Sequence, residues 1–328
     1  FEKAEVQGAE LRIHLMDALE HLGIILHYRL HETYDLIERW AEVTNRGETA
    51  ITLERVLSAQ WHLPRKRSYR LSHLYGRWAN EWNIGREQLA VGKKILESRR
   101  ITTSHHGQPW FAVDGWGADE EQGEVWFGAL AWSGNWKFIA ESTETGATRL
   151  SLGLNDWDFS WRLNPGESFT TPAAICGYTP HGFGEASRKM HDFIREQVLP
   201  NGKALRNVLY NSWEATTFDV DEASQVALAK LAAEMGVELF VMDDGWFHGR
   251  KDDHAGLGDW WPDEQKFPRG LKPLIEQVNA LGMDFGLWVE PEMVNPDSEL
   301  YREHPDWVIH FPGRKRSEAR NQLILNFA

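Results

Sequence analysis

Three short segments of the sequence place carboxylates beside tryptophan: Asn211-Ser212-Trp213-Glu214, Asp243-Asp244-Gly245-Trp246 and Trp288-Val289-Glu290-Pro291-Glu292. A carboxylate accepts hydrogen bonds from two neighbouring hydroxyls, and an indole packs against the apolar face of a sugar ring. Together these groups predict a pocket for a small, uncharged, hydroxyl-rich ligand.

The same residues have plainer interpretations. Asp-Asp-Gly is more often a turn than a site, and Trp288 is compatible with simple core packing. Three carboxylate-bearing segments also fit a divalent-metal site, but the interleaved tryptophans favour a sugar. We therefore predict no metal site and no cofactor. Asp252-Asp253-His254 lacks metal-ligand spacing to a second partner, and we interpret it as a solvated loop.

The elements that carry these segments alternate between strand and helix after Pro180. Strands are predicted at 207–213, 237–243 and 285–289, and helices at 185–198, 221–235, 271–281 and 296–304. This order predicts a parallel sheet, and site residues at strand ends favour a TIM barrel. A complete barrel takes about 250 residues, whereas only 123 follow residue 205. We expect the first part of a (β/α)8 barrel in a fragment of a longer enzyme.

The first 180 residues have apolar side chains at every second position and frequent turn signals, a pattern that predicts a large antiparallel sandwich. Residues 124–132 and 136–140 are expected to form a hairpin around Ser133-Gly134-Asn135. Eleven of the 17 tryptophans precede residue 205, and we expect most of them in the sandwich core and in contacts between paired strands. The predicted domains are a sandwich at 1–180, a helical linker at 181–205 and a truncated barrel at 206–328.

The composition excludes several function classes. Lys and Arg number 35 against 49 Asp and Glu, a net charge of −14, which argues against nucleic acid as a partner. No apolar run approaches the ~18 residues of a membrane-spanning helix, so we expect no membrane partner. With one cysteine we predict a cytoplasmic protein. The first residue is Phe1, which leaves a removed signal peptide open.

Several consecutive motifs resemble the bacterial α-galactosidases (melibiases) of glycoside hydrolase family 36. The motifs, in chain order, are Asn211-Ser212-Trp213-Glu214-Ala215, residues 240–247, Gly256-Leu257-Gly258-Asp259-Trp260, residues 286–293, residues 296–301, His304-Pro305-Asp306-Trp307 and Arg320-Asn321-Gln322-Leu323. Residues 1–180 resemble the family more loosely, through Gly76-Arg77-Trp78. An ordered series of this kind is more specific than any single motif.

The resemblance implies a β-supersandwich followed by a catalytic barrel, and retaining hydrolysis of terminal α-1,6-linked galactose from melibiose- and raffinose-type oligosaccharides. It implies that Asp243 and Asp244 hold galactose hydroxyls around C4 and C6. Trp288 would shape the pocket floor, Arg320 would hydrogen-bond the sugar and Trp213 would line the entrance. It also implies a homo-oligomer, since members of the family form tetramers.

The resemblance places no catalytic residue within the chain. In the family the nucleophile is an Asp in a Lys-Trp-Asp-type motif and the acid/base is a later Asp; we expect both beyond Ala328, and the 328 residues alone to be inactive. Asn326 also stands where the family usually has Asp. Two alternatives stay open: a non-catalytic galactose-binding or assembly module, and a related α-glycosidase or galactosyl transferase.

Overall fold

A computed structural model describes residues 1–66 and 68–327. The chain divides into two compact units, Phe1–Lys203 and Ala204–Ala328. None of the helices in the described residues has the length and apolar character needed to cross a membrane.

The first unit is built almost entirely from strands. Its described strands are β1 (Lys3–Gln7), β2 (Glu10–Met16), β3 (Leu22–His31), β4 (Leu36–Asn45), β5 (Ile51–Leu53), β6 (Leu57–Leu63), β7 (Arg70–Arg77), β8 (Asn80–Gln88), β9 (Gly92–Ser98), β10 (Gly107–Asp114), β11 (Val125–Leu130), β12 (Trp136–Ser142), β13 (Thr148–Leu154), β14 (Trp161–Leu163), β15 (Ser168–Thr170) and β16 (Ala174–Thr179). Helix α1 (Gly182–Phe193) follows and runs into a π-helical turn, Ile194–Val198.

These strands form two main antiparallel sheets. The large sheet has the order β1-β2-β3-β4-β16-β11-β10-β7-β8, with β15 beside β4, and the small sheet has the order β6-β13-β12-β9. The period-two pattern explains the layering, because successive side chains of a strand face opposite sides. Phe111 and Val113 of β10 face the small sheet, whereas Ala112 packs with α1. The predicted antiparallel sandwich is confirmed.

The large sheet has a second covered face. Helix α1 places Phe183, Ala186, Met190 and Phe193 against large-sheet residues that include Leu36. Most of the segment 181–205, for which we predict a linker, thus lies in the first unit and packs on its sheet.

The predicted hairpin around residues 133–135 is wrong. Strand β11 pairs with β10 and β16 in the large sheet, whereas β12 pairs with β9 and β13 in the small one. The turn at 133–135 therefore connects two layers of the sandwich. A local turn signal is the same for a hairpin and for such a corner, so the sequence pattern does not separate them.

Seven of the eleven sandwich tryptophans lie in strands, as expected, but few of the eleven are core residues. Of the eleven in the first unit, Trp136 is buried, and six are exposed: Trp78, Trp82, Trp116, Trp132, Trp157 and Trp161. Four of the exposed indoles lie in loops between strands, and two of these have an arginine over the ring: the Arg99 guanidinium lies 4.5 Å from the Trp157 ring centre and that of Arg70 lies 5.7 Å from the Trp116 ring centre. Smaller apolar side chains fill the core instead.

The single cysteine lies on an inner strand of the large sheet. Cys176 of β16 is opposite Gly128 of β11, and a side chain at Gly128 would collide with the Cys176 sulfur. Burial raises the pKa of the Cys176 thiol well above its ordinary value. The thiol is therefore a weak nucleophile that lies, partly buried, against the core of the first unit.

The second unit alternates strands and helices. Its described elements are β17 (Leu209–Asn211), α2 (Trp213–Thr216), α3 (Glu222–Glu234), β18 (Leu239–Met242), α4 (Lys272–Ala280), β19 (Asp284–Leu287), β20 (Met293–Val294), α5 (Glu299–Glu303) and β21 (Leu323–Ile324). Strands β17, β18 and β19 form a parallel sheet in that order, and β20 pairs with β21 antiparallel. The predicted parallel sheet is confirmed, and the described residues form no closed barrel.

Local signals define these helices well. The Asp221 side chain accepts a hydrogen bond from the Ser224 amide, and the Ser224 hydroxyl accepts one from the Asp221 amide, which makes a capping box at the start of α3. Gly236, with φ +85°, follows its end. The core beneath the strand ends contains Phe240, Met242 and Leu274 among other apolar side chains.

Candidate functional site

The carboxyl ends of β17, β18 and β19 meet at one edge of the parallel sheet. Asn211 is in register with Val241, and Met242 with Leu287. One residue further on, the Asp243 amide donates to the Ser212 hydroxyl at 3.0 Å, and the Trp288 amide donates to the Met242 carbonyl at 3.0 Å. The structure therefore brings Asp243 and Trp288 to the same edge.

Asp243 is half-buried and held from two sides. The Asn211 side-chain amide donates to its Oδ2 at 2.6 Å, and the Asp244 amide donates to its Oδ1 at 2.7 Å. A carboxylate has about four acceptor positions, so these bonds orient the group and leave capacity for ligand hydroxyls.

Asp244 is almost fully buried, and its carboxylate has different partners from that of Asp243. The Arg250 guanidinium donates to both of its oxygens, at 2.9 and 2.7 Å, and the Gly245 amide donates to Oδ1 at 2.6 Å. Gly245 has φ +94°, and a Cβ there would lie 2.8 Å from the Phe218 backbone. The close approach of Phe218 therefore requires glycine after the two aspartates.

Arg250 is the residue that the sequence analysis missed. It is 1% exposed, and its Nη1 donates to the Ala255 carbonyl at 3.1 Å and to the Asn295 Oδ1 at 3.0 Å. Its guanidinium carbon lies 5.2 Å from the Phe218 ring centre and 5.5 Å from that of Phe247. The only sequence signal was an Arg six residues after an Asp in a glycine-containing loop, which is also typical of a solvated loop.

Asn295 is fully buried and uses both ends of its amide. Its Oδ1 accepts from Arg250 and from the Leu257 amide at 2.9 Å, and its Nδ2 donates to the carbonyls of Asp253 and Asn321 at 3.1 and 2.8 Å. A completely satisfied buried amide fixes the segments it joins.

The Lys266 side chain holds the loop after β18 by donating to backbone carbonyls. The ammonium donates to the carbonyls of Phe218, Gly245 and Arg250 at 2.9, 2.7 and 2.9 Å. Burial lowers the pKa of Lys266 below its ordinary value. Three carbonyls thus compensate for the burial of one cation.

The tryptophans near the strand ends have different surroundings. Trp246 is buried and donates from Nε1 to the Trp288 carbonyl at 3.0 Å, so it is a core residue that supports Trp288. Trp288 is partly buried, with the Trp260 ring edge-on at 6.3 Å. Trp213 begins α2, where its amide donates to Asn211 Oδ1 at 2.8 Å and its ring meets Phe218 edge-on at 5.1 Å.

Arg320 lies in a tight turn. Ala319 and Gln322 exchange backbone hydrogen bonds at 3.3 and 3.0 Å, and Arg320 and Asn321 between them have φ +55° and +60°. Two successive left-handed residues are the pattern of a type I′ turn. Outside glycine this conformation is costly, and here it leaves the Arg320 side chain exposed.

Glu290 is a second ionisable group near the strand ends whose pKa is shifted. Burial and the neighbouring charge of Glu292 raise its pKa, whereas Arg320 and Arg250 act in the opposite direction. Gln322 donates to its Oε2 at 3.4 Å. Glu290 therefore lies within the electrostatic range of Asp244 and of Arg320, two of the predicted sugar contacts.

The arrangement suits hydroxyl groups better than a cation. Both oxygens of Asp244 already face a guanidinium, which disfavours a second positive charge there. The ligand atoms of Asp252, Asp253 and His254 lie within 4.8 Å of one another on a mostly exposed loop. Exposed acidic groups are common without an ion, so these three residues carry no metal assignment.

Comparisons with known proteins agree with this geometry. Residues 1–164 match the glycosyl hydrolase family 36 N-terminal domain, and residues 168–328 match the melibiase family. The chain belongs to glycosyl hydrolase family 36. The family 36 chain is 44% identical over 326 residues to alpha-galactosidase AgaA of Geobacillus stearothermophilus. The matched region covers 99% of this chain and 45% of AgaA. The chain is 39% identical over 325 residues to alpha-galactosidase Mel36A of Lactobacillus acidophilus, covering 98% and 44%.

The fold of the family 36 chain is also closely similar to a solved structure. The crystal structure of AgaA has a TM-score of 0.94 at 45% identity, over 96% of this chain and 44% of AgaA. Variants of AgaA have been solved in complex with raffinose and with stachyose. The chain thus spans less than half the length of AgaA and of Mel36A.

Proposed function

We propose that this chain is the substrate-recognising part of a retaining α-galactosidase, which hydrolyses terminal, non-reducing α-1,6-linked galactose from melibiose- and raffinose-type oligosaccharides. Asp243, Asp244, Trp288, Arg320 and Trp213 are its proposed galactose-binding residues. The nucleophile and the acid/base lie outside these 328 residues, and no cofactor takes part.

The observation that carries this proposal is the common edge of β17, β18 and β19. Asp243 is oriented there with free acceptor capacity, Trp288 follows on the neighbouring strand, and Asp244 follows Asp243 directly. Oriented carboxylates accept paired hydroxyls and an indole covers the apolar sugar face. Family membership and the sugar complexes of AgaA support the choice of galactosides.

The test is turnover by the complete protein. An aryl α-galactoside and melibiose are supplied to the complete protein and to the isolated 328-residue chain. We expect turnover of both substrates with retained configuration by the complete protein, and none by the isolated chain. Absence of turnover of both substrates by the complete protein would refute the proposal.

Two comparisons separate the alternatives in the same experiment. Faster turnover of an α-N-acetylgalactosaminide, or transfer to an added acceptor sugar in place of hydrolysis, would indicate a related α-glycosidase or a transferase. Galactose binding by calorimetry without any turnover by the complete protein would indicate a non-catalytic module.

Three further properties belong to the proposal. The parallel sheet is part of a (β/α)8 barrel, the complete protein is a homotetramer and it acts in the cytoplasm. The crystal structure and the sedimentation coefficient of the complete protein test the first two, and cell fractionation tests the third.

A further inference from the structure

We propose that Arg250 is the positioning residue of the galactose pocket: it fixes Asp244 directly and couples Trp213 and Arg320 to the same buried group. The inference rests on the proposed function, because it concerns the affinity of the pocket for an α-galactoside.

The direct step is the pair between Arg250 and Asp244. Two parallel donors, at 2.9 and 2.7 Å, fix the plane of the carboxylate as well as its place. Arg250 is itself 1% exposed, so it acts through Asp244 and does not present its charge to solvent. A sugar hydroxyl would therefore meet a carboxylate whose orientation is already set.

The step towards Trp213 passes through Phe218. The Phe218 ring lies between the two, edge-on to Trp213 at 5.1 Å and 5.2 Å from the Arg250 guanidinium carbon. Lys266 reinforces this arrangement, since its ammonium holds the carbonyls of both Phe218 and Arg250. The position of the entrance indole thus depends on the position of the guanidinium.

The step towards Arg320 passes through Asn295. Arg250 Nη1 donates to Asn295 Oδ1 at 3.0 Å, and Asn295 Nδ2 donates to the Asn321 carbonyl at 2.8 Å. Asn321 is the second residue of the left-handed turn that carries Arg320. The buried amide therefore helps to hold this costly turn, and it shares Arg250 with Asp244.

Stability alone does not explain this arrangement. Burying two charges is expensive, and well-packed apolar residues often replace a buried ion pair at no loss of stability. Arg250 instead makes four directed hydrogen bonds to three residues and contacts two rings. Three of the five proposed sugar contacts are linked to it, which is the pattern expected of preorganisation.

The test is a double-mutant cycle in the complete protein. Arg250→Lys keeps the charge but loses the planar pair of donors, and it is made alone and together with Asp244→Asn. We expect Arg250→Lys alone to lower kcat/KM for an aryl α-galactoside on the order of 100-fold. In the Asp244→Asn protein the same change should lower it only on the order of 10-fold, because the step through Asp244 is already lost and only the steps towards Trp213 and Arg320 remain.

Matched variants separate positioning from folding. Arg302→Lys changes an exposed arginine of α5 that pairs with Asp297 and Glu299, and it should leave kcat/KM unchanged. If Arg250→Lys does not fold, Phe218→Leu replaces it in the same cycle; this change removes the ring beside the guanidinium and keeps apolar bulk.

The outcomes are distinct. Wild-type activity in Arg250→Lys, or an equal loss in both Asp244 backgrounds, overturns the inference while the proposed function stands. Where Phe218→Leu replaces Arg250→Lys, wild-type activity of that variant does the same. A complete wild-type protein without α-galactosidase activity would instead refute the proposed function.

Discussion

The two units hold their charged side chains in different ways. In the first unit, charges pair across neighbouring strands: Glu10 is in register with Arg29, which is in register with Glu38, and both carboxylates accept from Arg29 at 3.0 and 3.2 Å. In the second unit, Arg250, Asn295 and Lys266 hold loops that have no ladder of backbone hydrogen bonds. A sheet keeps its geometry without its ion pairs, whereas we expect these loops to depend on the side chains that hold them.

The largest expected effect compares two arginines. Arg250→Met should lower the free energy of unfolding by roughly 3–5 kcal/mol, because Asp244 is left buried without its partner. Arg29→Met, at a side chain 44% exposed, should cost less than about 1 kcal/mol. Urea unfolding of both variants measures the difference, and equal losses would remove the contrast between the units.

Lys266→Met tests the second unit at a different position. It leaves three carbonyls without their donor, and we expect a loss of roughly 2–3 kcal/mol in unfolding free energy. Lys272→Met is the matched control, since that side chain is 84% exposed, and it should change stability by less than about 0.5 kcal/mol. A loss at Lys266 as small as that of the control would show that water replaces the ammonium readily.

Glu10→Gln tests how much a paired carboxylate of the first unit contributes to stability at different pH values. Hydrogen bonds from Arg12 and His27 lower the pKa of Glu10 from 4.5 to about 2. A lowered carboxyl pKa stabilises the folded protein above pH 4.5, and this contribution disappears as the pH falls towards 2. The free energy of unfolding of the wild type should therefore exceed that of Glu10→Gln by about 1 kcal/mol at pH 6. The value is small because the arginine partners are partly solvated.

The same pair of proteins at pH 2 should differ little in stability. Unfolding free energies at the two pH values measure this, and a difference that persists unchanged at pH 2 would contradict the assigned cause.

Glu290→Gln should have the smallest effect, with the opposite sign. Burial raises the pKa of Glu290, so its ionisation destabilises the fold as the pH rises above 4.5. The neutral amide should therefore stabilise the protein at pH 8 by less than about 1 kcal/mol, measured as a small increase in Tm. Glu276→Gln on an exposed side chain should not change Tm, and destabilisation by Glu290→Gln would show that its charge is favourably paired.

The sequence was most informative where one periodic pattern dominated. Alternation at Leu150, Leu152 and Leu154 located β13, and Asp221 with Gly236 bounded α3. The position of Asp243 at a strand end followed from the apolar run before it. These features depend on neighbours within one element, which a sequence pattern records directly.

Contacts between distant loops were beyond such patterns. Arg250 meets Asn295 across 45 residues, and neither residue belongs to a repeating element. The exposure of six sandwich tryptophans and the separation of β11 from β12 could not be predicted for a related reason. Residue type and local turns do not specify which layer receives a side chain. Interactions of this kind are set by the tertiary fold.

The raised pKa of the Cys176 thiol has a practical consequence. Cys176 is the chain's single cysteine, and maleimide and methanethiosulfonate reagents attack thiolates that solvent can reach. A cysteine introduced at an exposed position should therefore be labelled faster than Cys176, whose thiol has a raised pKa. Pairs of such labels would allow fluorescence or electron-spin distance measurements across each unit in an otherwise unaltered sequence.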